Sequence, residues 1–157
     1  MKPTVYIETT IPSYLAAAPS RDLVVAAHQQ ITHDWWDRQR DRFDLFISTF
    51  VIEETSGGDA EAAGRRLAFL KGIRLLAATP EVERLAAYLL ESGTIPAKSA
   101  YDAAHVAAAA VHRMDFLLTW NCKHLANAER FDQLRGACGR LGLACPIICT
   151  PEELMGE

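Results

Sequence analysis

Several polar side chains stand where this chain is expected to pass from a strand into a helix. Glu8 has the weakest structural reason for its place, because it directly follows the apolar run at 5–7 and a buried carboxylate without a partner is costly. Carboxylates gathered at one place would repel one another unless a cation joined them, and their hard oxygen atoms suit Mg²⁺ or Mn²⁺. The candidate ligands at such junctions are Glu8, Glu53 or Glu54, Asp102 and Asn121.

The other candidates also have ordinary structural interpretations. Asp102 comes three residues after Ser99, so it could be the acid of a capping box at a helix start. Glu53 and Glu54 could lie on the solvated face of a helix, and Asn121 could be a turn residue. The threonines beside these positions could cap helices or could bind water held by a metal; they are Thr9, Thr10 and Thr119. Spacing alone leaves these alternatives open.

Strand-like and helix-like segments alternate along the chain, which predicts an α/β fold with a mostly parallel central sheet. We expect strands at 4–7, 43–48, 73–77, 115–119 and 146–149. We expect helices at 11–17, 21–41, 49–56, 59–71, 80–91, 99–113 and 127–142, and a last helical turn at 150–153. Ligands bind beyond the carboxyl ends of the strands in such sheets, which directs attention to 8–10 and 119–121.

Composition limits the classes of protein to consider. The chain has 157 residues, of which 50% are hydrophobic and 23% charged, as expected for a single domain over 1–157. No apolar run reaches the roughly 18 residues of a membrane helix, and the N-terminus lacks a signal-peptide pattern, which favours a cytoplasmic protein with no membrane association. The net charge is −4, so a nucleic-acid substrate would require positive charge that is local or supplied by a metal or a partner.

Common motifs for other chemistries are missing from the sequence. The four cysteines form no C-x-x-C pair, so reduced thiols are expected rather than a zinc cluster. No G-x-G-x-x-G or G-x-x-x-x-G-K-[ST] loop is present to hold phosphates. No G-x-S-x-G elbow is present to carry a nucleophilic serine.

Three segments resemble the motifs of PIN domains. "VYIETTIPSYL" is similar to the first motif, in which an acid follows strand one, and "STFVIEETSGGD" is similar to the second, a helix with a glutamate before glycine. "SAYDAAHVAAAAVHRMDFLLTWNCKHLAN" is similar to the third and fourth, in which an acid begins a helix and a strand then ends in threonine. The likeness covers nearly the whole chain in order, and its second half resembles a branch related to the VapC toxins.

The resemblance implies a three-layer α/β/α fold and a Mg²⁺-dependent (or Mn²⁺-dependent) ribonuclease. It places Glu8, Glu54 and Asp102 at the metal, with Glu54 preferred to Glu53 for its spacing from the following glycines, and it gives Asn121 the place of a fourth acid. Residues expected around these ligands are Thr9, Thr119 and His105. It also implies an RNA substrate, a homodimer and a small antitoxin partner.

Two positions depart from the usual PIN pattern. Glu8 stands where aspartate is more common, so its carboxylate reaches roughly 1.5 Å further. Asn121 is neutral, which leaves three formal negative charges and weakens the case for two cations. The alternative is therefore a PIN-fold module for RNA binding or regulation that has weak activity or none.

Overall fold

A central sheet of five parallel strands organises the chain in a computed structural model, which describes residues 1–156. Its strands are β1 (Thr4–Ile7), β2 (Asp44–Ser48), β3 (Arg74–Leu76), β4 (Phe116–Leu118) and β5 (Ile147–Cys149). Their spatial order is β3-β2-β1-β4-β5, which puts β1 at the centre. All four pairings are parallel, so every strand ends at the same edge of the sheet.

Seven α-helices connect and flank these strands. They are α1 (Thr10–Ala16), α2 (Leu23–Arg38), α3 (Thr49–Thr55), α4 (Ala60–Leu70), α5 (Pro80–Glu91), α6 (Ala100–Val111) and α7 (Ala128–Arg140). The fold class and every predicted strand and helix up to residue 149 are confirmed, with ends that differ by a few residues. A short 3₁₀ helix at Arg40–Arg42 ends the segment that was predicted as one helix over 21–41.

Two local predictions need correction. Proline suits the first position of a helix, which favours a start at Pro12, but α1 begins already at Thr10 and Pro12 is its third residue. The segment 150–153 forms a hydrogen-bonded turn rather than a helix. Its capping-box contacts are nevertheless present, since Thr150 N–H donates to Glu153 Oε1 at 3.0 Å and Glu153 N–H donates to Thr150 Oγ1 at 3.4 Å.

The helices lie in two groups on opposite faces of the sheet. α1 packs against α2 and α4, while α5 packs against α6 and α7. From β1 the chain moves across the sheet to β2 and β3, and from β4 it moves the other way to β5. Because such crossovers are right-handed, the two directions place their helices on opposite faces, which gives three layers. No helix within residues 1–156 is long and apolar enough to cross a bilayer.

α6 is buried around nearly its whole circumference. Every residue from Ala103 to Ala110 is buried, and the helix contacts both α5 and α3. Six of those eight positions are alanines, whose small side chains let neighbouring elements approach closely. The remaining two are Val106 and His105, so His105 is held inside a packed interior.

Overpacking this helix should destabilise the protein. Ala107 has no solvent exposure, and Ala107→Leu forces three extra carbons against packed neighbours. We expect a loss of about 1–3 kcal/mol in the free energy of unfolding, measured by urea denaturation. Ala68→Leu is the matched control, since Ala68 is exposed on α4, and it should change stability by less than about 0.5 kcal/mol. Equal stability of the two variants would contradict the packing described for α6.

Candidate functional site

The acidic side chains lie where the strand order reverses. β1 leads towards β2 on one side, whereas its other neighbour β4 leads towards β5. In open parallel sheets this switch point opens a crevice beyond the carboxyl ends of the two strands, where ligands bind. Glu8 follows β1, and Thr119, Trp120 and Asn121 follow β4. The site is therefore located where the topology favours one.

Glu8 is almost completely buried, with 3% of its surface exposed. Its Oε1 atom accepts three hydrogen bonds: from the N–H of Thr10 at 2.9 Å, from the Thr10 hydroxyl, and from the Thr119 hydroxyl at 2.7 Å. These donors fix the carboxylate at the crevice floor. Among the described residues no donor is directed at its other oxygen, Oε2, which leaves that atom available to a ligand.

Glu54 approaches Glu8 from α3 and is held by a histidine. The Nε2 atom of His105 lies 2.9 Å from Glu54 Oε1, and His105 itself is fully buried. One polar atom from each of Glu8, Glu54 and His105 lies within 4.8 Å of the others. Glu53, one residue earlier, is exposed on the outer side of α3. Of the two neighbouring glutamates, only Glu54 is thus near the site.

His105 is anchored from its other side by a buried polar chain. Its Nδ1 atom lies 2.7 Å from the Tyr6 hydroxyl, which lies 2.6 Å from the hydroxyl of Ser48. Tyr6 and Ser48 both have no solvent exposure. The chain therefore reaches from the end of β2, through β1, to α6, and from there to Glu54.

The two carboxylates have opposite pKa shifts. Burial raises the pKa of Glu8, and the hydrogen bonds from Thr10 and Thr119 offset only part of that effect. Burial also acts to raise the pKa of Glu54, but the hydrogen bond from His105 acts against it, and the pKa is lowered. Glu54 is therefore ionised readily, while the charge on Glu8 requires compensation.

Asp102 stands further out, on the first turn of α6. It is half-buried, and it does not belong to the group of atoms that converges within 4.8 Å. Burial raises its pKa, against the effects of Asn121, His105 and His124. The side chain of Ser99 makes no capping bond at the start of α6, so no reciprocal capping box accounts for Asp102.

Asn121 has a local structural role. Its Oδ1 accepts the N–H of His124 at 3.0 Å, and its own N–H donates to Thr119 Oγ1 at 2.9 Å. The side chain thus caps the turn after β4, as one of the two alternatives expected. It nevertheless lies close enough to Asp102 to lower the pKa of that carboxyl.

The residues present fit a divalent cation. Glu8 and Glu54 bring two carboxylates together, and Asp102 adds a third at the rim. The hydroxyl oxygen of Thr9 is buried but has no hydrogen-bond partner among the described residues, and a buried polar atom of this kind calls for a partner such as bound water. Glu8 and Glu54 would hold the ion, and Thr9 would hydrogen-bond to its water.

An aromatic cluster borders the crevice. Trp120 stacks on His28 with ring centroids 4.0 Å apart, and Tyr14 stacks 6.0 Å from Trp120. The Trp120 indole N–H donates to Thr32 Oγ1 at 2.7 Å, which fixes the ring. Lys98 and Lys123, which lie close in sequence to Asp102 and Asn121, are exposed.

The structure brings together most of the residues predicted for the site. Glu8, Glu54, Thr9, Thr119 and His105 meet at the crevice floor, whereas Asp102 and Asn121 lie at its rim. The sequence reasoning missed Tyr6 and Ser48. Residues two apart on a strand share a face, so the pair Tyr6 and Glu8 was the available signal.

Comparisons with known proteins support the fold. No family model matches the chain. No curated protein matches it. Among solved structures, the chain is similar to VapBC2 from Rickettsia felis, which was determined bound to a DNA fragment from the promoter. The TM-score is 0.58 at 13% identity, with 94% of this chain and 98% of that chain covered. At this identity, the likeness shows a shared fold over nearly the whole length of both chains.

Proposed function

We propose that this protein is a PIN-type ribonuclease that depends on Mg²⁺ or Mn²⁺. The observation that carries the proposal is the convergence of Glu8 and Glu54 at the switch point of a parallel sheet. The motif resemblance to PIN domains and the fold shared with a VapBC2 chain support it.

The chemistry we propose is hydrolysis of a phosphodiester in RNA. When bound, a divalent cation supplies charge stabilisation at the phosphate and a more acidic water. Glu8 and Glu54 would hold the cation, and Asp102 at the rim would add negative charge beside them. Thr9 and Thr119 orient these groups, as Thr119 already does for Glu8 in the structure. An unpaired RNA strand suits a recessed site better than a duplex does.

The substrate strand would need positive charge that the site itself lacks. Lys98 and Lys123 are exposed near the ends of the segments that carry Asp102 and Asn121. We propose that they contact the phosphates on either side of the cleaved bond. The stacked ring of Trp120 is 8% exposed, so it supports the crevice wall more than it offers a surface to bases.

We also propose that a second protein and a second copy of this chain associate with it in the cytoplasm. The support is the fold shared with VapBC2, a complex found on its promoter DNA. A basic side chain from such a partner would be attracted to the charge at Glu8 and Glu54. This chain alone carries a net charge of −4, which is compatible with a basic partner segment.

A second candidate function is a PIN-fold module that binds RNA with weak cleavage or none. The observation that favours it is Asn121, whose side chain is neutral and is already committed to the N–H of His124. Asn121→Asp separates the two possibilities. An active nuclease cleaves RNA both with and without the change, whereas a large gain from an inactive wild type would support the RNA-binding module.

Cleavage of RNA should require the acids of the site. We expect single-stranded RNA to be cut in the presence of Mg²⁺ and not in the presence of a chelator. Glu54→Gln and Asp102→Asn should each lower the rate by about 100-fold or more, because they remove charge that stabilises the transition state. The measurement is the initial rate with end-labelled RNA.

Glu53→Gln is the matched control for Glu54→Gln. It makes the same change one residue away, at an exposed position that lies outside the site. We expect its cleavage rate to equal that of the wild type. Equal rates for wild type, Glu54→Gln and Asp102→Asn would remove the proposed site.

The negative charge of Glu8 should destabilise the metal-free protein. Because burial raises its pKa, the folded state favours the neutral form, so the stability that Glu8 contributes at low pH is lost as the pH rises through the raised pKa. Glu8→Gln should therefore raise the free energy of unfolding at pH 8 by on the order of 1 kcal/mol, or roughly 3 °C in Tm. The difference should shrink at pH 5.

The comparison is made by thermal denaturation in chelator, and then repeated with Mg²⁺. Saturating Mg²⁺ should raise the Tm of the wild type and leave Glu8→Gln nearly unchanged. A wild type that is more stable than Glu8→Gln in chelator at pH 8 would show that the Glu8 charge is already compensated without a metal.

A further inference from the structure

A buried series of hydrogen bonds ends at Glu54, and its donors determine the direction in which the protons are donated. Its links are Ser48 Oγ to Tyr6 Oη at 2.6 Å, Tyr6 Oη to His105 Nδ1 at 2.7 Å, and His105 Nε2 to Glu54 Oε1 at 2.9 Å. Ser48, Tyr6 and His105 have no solvent exposure, so bulk water does not satisfy them. Each proton in the chain must therefore find its acceptor within it.

Ser48 sets the direction. Its hydroxyl has one hydrogen-bond partner within residues 1–156, the oxygen of Tyr6. If Ser48 donates to Tyr6, then the Tyr6 hydroxyl donates to His105 Nδ1, and every hydroxyl proton is used. If the direction were reversed, the Ser48 proton would have no acceptor in a fully buried environment, which is unfavourable. Burial also raises the pKa of Tyr6 strongly, so Tyr6 keeps the proton that it donates.

This direction determines the protonation of the imidazole. A neutral histidine carries a proton on one ring nitrogen only. Since Nδ1 accepts from Tyr6, the proton is on Nε2, where it is donated to Glu54. A nitrogen that carries a proton has no lone pair for a metal. The convergence of Glu8, Glu54 and His105 therefore contains two ligands and one donor, not three ligands.

We propose that His105 is a positioning residue, held as its Nε2–H tautomer by Ser48 and Tyr6, which fixes Glu54 for metal binding. This proposal rests on the function proposed above, because it assigns Glu54 to the metal. His105 is then not a metal ligand. Tyr6 and Ser48, which lie beneath the site, support the orientation of its ring. The consequence is that metal affinity depends on a hydroxyl group that never contacts the metal.

Tyr101 offers a matched control for Tyr6. Its ring stacks near that of His105, with centroids 6.3 Å apart, but among the described residues its hydroxyl makes no hydrogen bond to the imidazole. Tyr6→Phe and Tyr101→Phe each remove one hydroxyl from a tyrosine beside His105. Only the first removal leaves Nδ1 without its donor.

The first measurement is the tautomer of His105, read from ¹⁵N chemical shifts of the ring nitrogens in the Mg²⁺-loaded protein without RNA. We expect an unprotonated Nδ1 and a protonated Nε2 in the wild type and in Tyr101→Phe. Tyr6→Phe should shift the Nδ1 resonance, because that nitrogen then lacks the hydroxyl that donates to it. An Nδ1–H tautomer, or protons on both nitrogens, in the wild type would overturn the proposal.

The second measurement is Mn²⁺ affinity by isothermal titration calorimetry. Tyr6→Phe and His105→Asn should weaken binding by about 10–100-fold, the range typical of residues that support a ligand. His105→Gln should recover much of the loss, since its amide N–H can reach the position of Nε2. Affinities of folded Tyr6→Phe and His105→Asn equal to that of the wild type would overturn the positioning role.

These results are separate from the question of cleavage. If the protein bound Mn²⁺ as expected but cut no RNA, the nuclease would fail and the positioning role would stand. If it bound no Mn²⁺ at all, both proposals would fail, and the tautomer would describe only a structural hydrogen bond. If Tyr6→Phe did not fold, the wild-type tautomer and the His105→Gln and His105→Asn pair would decide the outcome.

Discussion

A buried carboxylate without a counter-charge is the constraint on which this structure depends. Glu8 ends the central strand with 3% of its surface exposed, and burial raises its pKa. Three hydrogen bonds from Thr10 and Thr119 hold one of its oxygens, but neutral donors do not cancel a charge. A buried charge of this kind is unfavourable unless it binds a ligand of opposite charge. A divalent cation beside Glu54 would supply that charge and would explain why a carboxylate is buried here.

The helices around the site hold the side chains of Glu54 and His105 in place. α6 carries His105 and is packed on all sides, since its alanines allow close contact with α3 and α5. Glu54 comes from α3, so the two helices that meet there also bring together the imidazole and the carboxylate. The strand order places Glu8, which lies close to both, at the reversal beside β1 and β4. The strand order thus determines where the site lies, and the packing of the helices determines the distances between its side chains.

The sequence was informative wherever local pattern decides structure. The strands and helices could be predicted because apolar runs and capping residues mark them, as Asp59 and Thr79 do at the starts of α4 and α5. Glu8 could be identified because a carboxylate after an apolar strand is unusual. Glu54 could be preferred to Glu53 only through the motif resemblance. The two adjacent glutamates are chemically identical and differ only in the direction in which their side chains leave the helix.

Contacts between distant segments could not be read from the sequence. Tyr6 has the pattern of an ordinary core residue, and only the fold shows that its hydroxyl lies between Ser48 and His105. Asn121 was expected either at the metal or in a turn, and the turn contact to His124 depends on the path of the chain after β4. The Thr10 hydroxyl also contacts both Glu8 and the N–H of Trp120, which joins two segments 110 residues apart.

The central claim is that Glu8 and Glu54 share one divalent cation. The most direct measurement is a crystal structure of the protein grown with Mn²⁺, with anomalous scattering used to locate the metal. We expect one peak at the crevice floor, about 2.1 Å from a carboxylate oxygen of each glutamate. Clear density for both side chains with no anomalous peak between them would contradict it.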